Sequence, residues 1–341
     1  MAIKHKVNIY ELAKSSGFSV STVSKALNHT GRISEDTRKK ILKIATELNY
    51  IPSYHAKALS LNKSWIIGVI YSDNLGIGFS HPHFSVILEG FKQEAEKQGY
   101  EITFINRNMG KTPMTYLEFC RYRHLEGVFI VNYYSLSKQV PELIESGIPL
   151  VSADGGFDDI PTITSNDYLG GKLATEYLYQ LGHRNIFHIA GPSYTVSGEK
   201  RKQGYIDTMN TYQGVTSGIY TAENFSIEDG YQQALKMIEE KTLPTAIFVA
   251  GDWMALGAIK AFKEHHIRIP EDISIIGYDD LDFLKYNEPG LTTISQKKYE
   301  IGQKAAQYLI KQINGEKVSS ALLDVEIIER HTCQPYKKQT A

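Results

Sequence analysis

The sequence predicts an α/β protein in two parts: a three-helix head of helix-turn-helix character, followed by a two-lobed domain built on parallel sheets. Residues 8–49 repeat apolar side chains at helical spacing between capping residues, whereas from Trp65 onward short β-rich runs alternate with amphipathic helical ones. Charge divides at the same place. Residues 1–63 hold 11 Lys and Arg against 4 Asp and Glu, a net of +7, and the remainder holds 26 against 34, a net of −8, beneath an overall charge of −1. A basic head on an acidic body implies a polyanionic partner for the head alone.

In the head, Asn8 caps a first helix, and Glu11 three positions on completes the capping-box spacing; Ile9, Leu12 and Ala13 form its apolar stripe. That helix stops at Gly17. Ser19 caps a second helix running to about Leu27, with Val23 and Leu27 turned inward across the Ser15-Ser16-Gly17 turn. Ser34 caps a third, with Glu35 and Asp36 in the first turn, where the helix dipole favours acid, and Ile41, Ile44, Ala45 and Leu48 along its inner side. Pro52 ends it. Once Val23 and Leu27 are buried, the second helix presents Val20, Ser21, Thr22, Ser24, Lys25 and Asn28, all small or polar. Such a face fits a major groove, with Val20 and Ser21 near base edges, Lys25 within reach of a guanine or a phosphate, and the hydroxyls and Asn28 on phosphate oxygens. A solvated basic face on an ordinary helical domain is the alternative from pattern alone.

Residues 53–64, SYHAKALSLNKS, carry a cap at Ser53 and one or two turns of helix, too short to stand alone. The division expected is therefore a head at 1–50, a hinge at 51–64 and a body at 65–341. In the body the predicted strands are 65–71, 100–106, 127–131, 149–152, 185–190, 246–250 and 273–277, with helices between them such as 84–98, 136–146, 168–181, 228–240 and 254–265. The body is long for one sheet, and a second βα series restarts near LGHRNIFHIAGP. Two similar lobes follow.

Ligands of parallel sheets sit beyond the carboxyl ends of strands, and two facing lobes form a cleft lined by those ends. The rule selects Asn132, Asp154, Asp252, Trp253 and Asp279, each just past a predicted strand, and Arg201 in the helical stretch after NIFHIAGP. Taken singly, Asp154 and Asp279 could cap turns and Arg201 could pair with a surface acid. Together, carboxylates, an amide and a guanidinium beside aromatics supply what a sugar requires: donors and acceptors for hydroxyls, and rings for its C–H faces.

Composition excludes other classes. No apolar run reaches the roughly 18 residues of a membrane helix, and the first 20 residues lack a signal-peptide core, so a cytoplasmic protein is expected. Cys120 and Cys333 are too few for a disulfide scaffold or zinc site and are expected to be free thiols. His81 and His83, and His265 with His266, lack a third ligand at metal spacing and are expected to face solvent; Gly76-Ile77-Gly78 lacks the third glycine of a dinucleotide turn. No hydrolase or nucleotide-cleaving motif is present. Neither a cofactor nor a metal is expected, and no enzymatic activity.

The run IYELAKSSGFSVSTVSKALN, followed by TRKKILKIATELNYIP, resembles the head of the lactose and galactose repressor family of bacterial transcription regulators, and the similarity continues through nearly the whole chain. The resemblance implies a homodimer on a near-palindromic operator, a small-molecule effector, and a body like the periplasmic sugar-binding proteins. It implies crossings between lobes near 165, 293 and 324, hence lobe one at about 65–164 and 294–323 and lobe two at about 165–293 and 324–341. By position it places Val20, Ser21 and Lys25 on bases, Tyr10, Thr22, Ser24 and Asn28 on the DNA backbone, and Arg32 as a further contact. Position 20 often bears a larger side chain in the family, so the resemblance does not carry over an operator sequence. The hinge becomes a helix that orders on the operator, with Leu59 as a wedge between base steps in the minor groove. VNYYS implies Asn132 as an effector contact, AGPSYTVSGEKRKQGY implies Ser197 and Arg201, and GYDD implies Asp279; Phe225 and Phe84 match a stacking aromatic and one at the cleft mouth. Gly251-Asp252 stands where many sugar-responsive members carry Asn-Asp, and the loop from Ser72 to His83 is longer than in the best-known members, which implies a changed effector. The tail HTCQPYKKQTA lacks leucine heptads, so a dimer is expected rather than the lactose repressor's tetramer.

Three functions are compatible with these readings. A repressor released from its operator by a small sugar or sugar derivative is favoured. A regulator whose DNA binding is tightened by a purine or a phosphorylated carrier protein is the second. A sugar receptor or enzyme using only the two-lobed domain is the third, and it leaves the basic head without a use.

Overall fold

The computed structural model describes residues 7–51, 63–71, 81–133, 139–153, 155–286 and 288–337. They fall into two compact units, Met1–Trp65 and Ile66–Ala341. Leu59 and Asp154, singled out in the sequence, lie outside the described residues.

The first unit holds α1 (Ile9–Ser16), α2 (Val20–Leu27) and α3 (Glu35–Glu47). Asn8 Oδ1 accepts from the Tyr10 and Glu11 amides at 2.9 and 3.0 Å, and Glu11 Oε2 accepts from the Asn8 amide at 2.9 Å. This reciprocal box satisfies three amides that the helix itself leaves unpaired. Ser19 and Ser34 cap the next two helices through the Thr22 and Thr37 amides, each at 3.2 Å. Gly17 ends α1 at φ +73°, a left-handed turn in which a Cβ would be strained. The head core is Leu12, Val23, Ala26 and Ile41, all fully buried, with Ala13 and Ala45. Leu27, expected to face inward with Val23, packs against this core from its half-buried rim. Ala26 joins it at the centre: it lies three residues from Val23 on the same stripe, and its small side chain lets the helices close.

The second unit opens with β1 (Ile66–Tyr71), α4 (Pro82–Lys97), β2 (Glu101–Phe104) and a short hairpin, β3 (Asn108–Met109) and β4 (Thr112–Pro113). Next come α5 (Tyr116–Arg123), β5 (Gly127–Asn132), α6 (Gln139–Glu145), β6 (Leu150–Ser152) and β7 (Ile163–Ser165). The first sheet has the order β2-β1-β5-β6 and is wholly parallel.

Then follow α7 (Asp167–Gln180), β8 (Asn185–Ala190), α8 (Val196–Thr211), β9 (Thr216–Thr221), α9 (Ile227–Glu239), β10 (Ala246–Val249), α10 (Asp252–Glu264) and β11 (Ser274–Asp279). The chain closes with β12 (Thr292–Ser295), α11 (Lys298–Ile313), β13 (Ala321–Leu323) and β14 (Glu326–Ile328). The second sheet runs β14-β12-β11-β10-β8-β9, parallel except for the β12–β14 pair. Helices cover both faces of the inner strands, so β1, β5 and β10 read as unbroken apolar runs. The seven predicted strands are all present within a residue or two, and the helix predicted from 84 starts at Pro82, a residue suited to a first helical turn. After β12 the chain returns to the first lobe, where α11 packs along α4. β7 and β13, the segments leading out of that lobe, pair side by side.

Three helix pairs share one device. In α4 with α11, a Cβ on Gly90 would lie 2.2 Å from the Tyr299 carbonyl oxygen, and one on Gly302 would lie 2.0 Å from that of Ile87. Gly171 and Gly204 face the Arg201 and Tyr168 oxygens at 2.1 and 2.3 Å in α7 with α8. Gly230 and Gly257 face Met254 and Ile227 at 2.0 and 1.9 Å in α9 with α10. Each pair is therefore in backbone contact, and a methyl group at any of the six positions would force the helices apart. The α7–α8 contact brings Arg201 beside Asp167.

Candidate functional site

On the head, α2 turns Ser21 and Lys25 to solvent four residues apart, with half-buried Asn28 three further along the same face. Tyr10 is 72% exposed, and Arg32 is exposed. The remaining residues of that face are partly committed within the protein. Val20 packs against the rim of the head core, Thr22 Oγ1 shares a 2.9 Å hydrogen bond with Ser19 Oγ, and Asn28 Nδ2 donates to Ser24 Oγ at 3.4 Å. The Lys25 stem lies over Gly31, whose φ of +69° brings the loop close. The head thus offers the hydroxyls of Tyr10, Ser21, Thr22 and Ser24, the Asn28 amide, the Lys25 ammonium and the Arg32 guanidinium, a set suited to phosphates and base edges.

In the second unit, the strand ends of both lobes open onto a cleft of about 460 Å³. One wall carries Tyr71, Phe84, Asn132, Tyr133 and Phe157; the other carries Tyr194, Ser197, Lys200, Asn224 and Phe225. Arg201, Asp167, Asp279 and Gln296 line it as well. Of the nine candidates for the cleft, six line it: Phe84, Asn132, Ser197, Arg201, Phe225 and Asp279. Asp154 is undescribed, although Ala153, Gly155 and Gly156 beside it are in the wall.

Arg201 is the centre of the charge arrangement. It is buried, with Nε donating to Asp167 Oδ1 at 2.8 Å and one Nη donating to the Ala250 carbonyl at 2.6 Å; Asp279 Oδ1 lies 4.0 Å away. The Tyr278 hydroxyl donates to the same Asp167 oxygen at 3.0 Å, and the guanidinium stacks 3.6 Å over the Tyr278 ring. Burial works against the charge of Arg201, but Asp167, Tyr278 and Asp279 outweigh it and raise its pKa. Its plane is consequently fixed before any ligand arrives. Asp279 accepts from Gln296 Nε2 at 2.5 Å; burial raises its carboxyl pKa against the opposing pull of Arg201 and Lys298. Phe225 forms part of the floor. A Cβ on Gly251 would sit 3.3 Å from the Phe225 ring and 3.7 Å from Asp279 Oδ2. The absence of a side chain at 251 therefore lets the Phe225 ring and Asp279 pack close to the backbone there.

Two sequence readings need correction. Trp253 does not join the cleft wall: it enters the first turn of α10, and its ring stacks 5.1 Å from that of His81. Its neighbour Asp252 is likewise inward, completely buried, accepting from Thr293 Oγ1 at 2.7 Å and the Leu281 amide at 2.9 Å. A strand-end position marks nearness to the cleft, but the helix that starts there decides where the side chain points. His81 and His83 also depart from expectation. Rather than facing solvent they line the cleft at the start of α4, and His83 Nδ1 lies 3.7 Å from Asp279 Oδ1. Burial pushes the His83 pKa well below the ordinary value, and His81, Lys298 and Arg201 add to this, so its ring is a neutral polar contact. His265 and His266 are exposed, and among the described residues no three His, Cys, Asp or Glu side chains gather as for a metal. Both thiols are free and pushed up to about 12, chiefly by burial. No helix among the described residues is long and apolar enough to cross a membrane.

Comparison with known proteins places this architecture. A family model described as bacterial regulatory proteins, lacI family, matches residues 8–53, and one for a periplasmic binding protein-like domain matches residues 175–333. The HTH-type transcriptional repressor PurR of Pasteurella multocida (strain Pm70) is 34% identical over 322 residues, spanning 93% of this chain and 95% of that protein. The chain belongs to the LacI family of bacterial regulatory proteins. As a LacI-family member it is a DNA-binding transcriptional repressor that answers a small-molecule effector, and not an enzyme. A second LacI-family relative, the probable HTH-type transcriptional repressor ExuR of Bacillus subtilis (strain 168), is 33% identical over 317 residues, covering 90% of this chain and 92% of that one. The solved Lac repressor dimer bound to operator and the anti-inducer ONPF superposes with a TM-score of 0.81 at 30% identity, covering 97% of this chain and all of that one. The LacI fold, a helix-turn-helix head with a two-lobed parallel α/β body, is thereby shared.

Among the cleft residues that the sequence did not reveal as site members are Asp167, His81, His83 and Gln296. Asp167 carried a signal of sorts, an acid beside the capping Asn166 at the start of a helix. The others reach the cleft by tertiary contact alone.

Proposed function

We propose that the protein binds a near-palindromic operator as a homodimer and is released when a small sugar or sugar derivative occupies the cleft. Val20, Ser21 and Lys25 read bases, Tyr10, Thr22, Ser24, Asn28 and Arg32 hold the backbone, and Leu59 acts as the minor-groove wedge. In this reading the head is residues 1–50, the hinge 51–64, and the effector-binding and dimerisation body 65–341, with lobe one at 65–164 and 294–323 and lobe two at 165–293 and 324–341. The protein works in the cytoplasm, where its operator lies.

The observation that carries the effector reading is the fixed Arg201–Asp167 pair beside Asp279, with the Arg201 guanidinium 5.7 Å from the Phe225 ring, in the lining of a cleft of about 460 Å³. A charged fork and a carboxylate over an aromatic floor suit a ring bearing vicinal hydroxyls. The Lac repressor structure on operator with a small molecule supports the coupling of such a site to DNA.

The test is fluorescence-polarisation binding of the full chain to a selected palindromic duplex at fixed salt, with sugars, sugar phosphates, sugar acids and purines. A compound that loosens DNA binding, and no longer does so in Arg201→Ala and Asp279→Ala, is the expected result. A compound that tightens binding would replace induction by corepression.

A further inference from the structure

We infer that Lys298 is a positioning residue of the cleft: reaching from the first lobe, it sets the backbone turn that presents Asp279 and so links the Asp279 carboxylate to the relative placement of the lobes. This rests on the reading that Asp279 meets the effector. Lys298 is the first residue of α11, which packs along α4 in the first lobe, whereas Asp279 ends β11 in the second. Its ammonium, in a side chain only 9% exposed, donates to the backbone oxygens of both Asp279 and Asp280, the latter at 2.9 Å.

Three observations make this more than a chance contact. A cation in the first turn of a helix opposes the helix dipole, so α11 alone gives no reason for a lysine there. The two residues whose oxygens it holds are both left-handed, Asp279 at φ +117° and Asp280 at +52°, and neither is glycine. Such backbone persists only where the surroundings over-determine it. Those surroundings are present: Asp280 accepts from Arg330 at 2.6 Å and Ser295 Oγ at 3.0 Å, its amide donates to Thr293 Oγ1 at 3.4 Å, and the next amide, of Leu281, donates to Asp252 at 2.9 Å. Asp252, Thr293 and Arg330 belong to the second lobe or its closing segment, and Ser295, at the crossing, is the last residue of β12 in the second sheet. Lys298 alone in this set comes from a helix of the first. With its ammonium in place, the Asp279 carboxylate is held toward Gln296 and Arg201; moving the lobes apart pulls on the turn that carries it.

The experiment compares wild type with Lys298→Met, which keeps the stem and removes the ammonium, and with Lys298→Arg, in the full chain. Hydrogen exchange of the ligand-free proteins is the first readout. The amides of Asp280 and Leu281 are expected to exchange about tenfold faster in Lys298→Met and to recover in Lys298→Arg. Unchanged exchange at these amides would overturn the inference, as would acceleration confined to the first turn of α11. Should Lys298→Met fail to fold, Lys298→Gln takes its place under the same criterion. The second readout is affinity for D-ribose, D-glucuronate and guanine. A probe that binds wild type is expected to lose about tenfold in Lys298→Met while Lys298→Arg stays near wild type; equal affinity in all three would overturn the positioning role. If wild type binds none of the probes, the failure falls on the effector reading, and the exchange result still decides for or against Lys298.

Discussion

Replacing Gly257 by Ala sets two effects of known sign against each other. In an exposed helix the change stabilises by about 1 kcal/mol, because alanine has the better helix propensity. Here the new Cβ would lie 1.9 Å from the Ile227 carbonyl oxygen and 2.6 Å from the Tyr231 nitrogen, where real contacts begin near 3.4 Å. The obstacle is backbone of α9, so no rotamer change relieves it. The helices must separate by more than an ångström, along an interface whose members Ala234, Met237, Ala255 and Ala258 are fully buried. Overpacking of a tight core costs roughly 1–3 kcal/mol or more, and separating two helices along several turns belongs at the upper end. The net expectation is a loss of about 2 kcal/mol, or roughly 4–8 °C in Tm for a body of this size. Thermal melting of the full chain beside Gly257→Ala is the assay. A neutral or stabilised variant would refute the backbone-contact account, which applies equally to Gly90, Gly171, Gly204, Gly230 and Gly302.

Two further outcomes follow from single residues. His188 is completely buried, its ring stacked 4.4 Å on Phe248, and burial pushes its pKa down to about 3 from the ordinary 6.5. As pH falls below 6.5 the unfolded chain takes up this proton and the folded one does not, so stability falls, by about 2 kcal/mol at pH 5 from this group. In His188→Phe the decline between these two pH values should be shallower by that amount in urea titrations; an unaltered slope would show that His188 does not contribute. On the head, Lys25→Ala should lower affinity for the selected operator more than for a scrambled duplex, reducing discrimination by about 1–3 kcal/mol in polarisation assays. Unchanged affinity for both duplexes would remove Lys25 from the interface.

How much was legible depended on the range of the interaction that fixes each feature. Asn8 with Glu11, Ser19 and Ser34 act on amides two or three residues away, so the three head helices could be read in sequence. The buried central strands announced themselves as apolar runs. β9 did not, because TSGIYT is an exposed edge strand with polar positions and a central glycine. β12 and β14 are short and take their identity from pairing, β12 with β11 and β14 with β12, and β7 and β13 pair across a long separation in the chain. The same division holds in the cleft. Arg201 and Asp279 carried strand-end and motif signals, whereas Gln296 and Lys298 reach Asp279 from the following crossing, and His83 comes from a helix almost two hundred residues earlier. Trp253 illustrates the converse: its position past a strand was legible, but the helical start that turns its ring onto His81 was not.

The most direct measurement is calorimetric titration of the full chain with the compound that changes operator binding, once alone and once with saturating operator duplex. Linkage requires the factor by which the compound weakens DNA binding to equal the factor by which DNA weakens binding of the compound. Equal factors, both lost in Arg201→Ala, are the result expected of a repressor induced through this cleft. A compound whose affinity is the same with and without operator would contradict it.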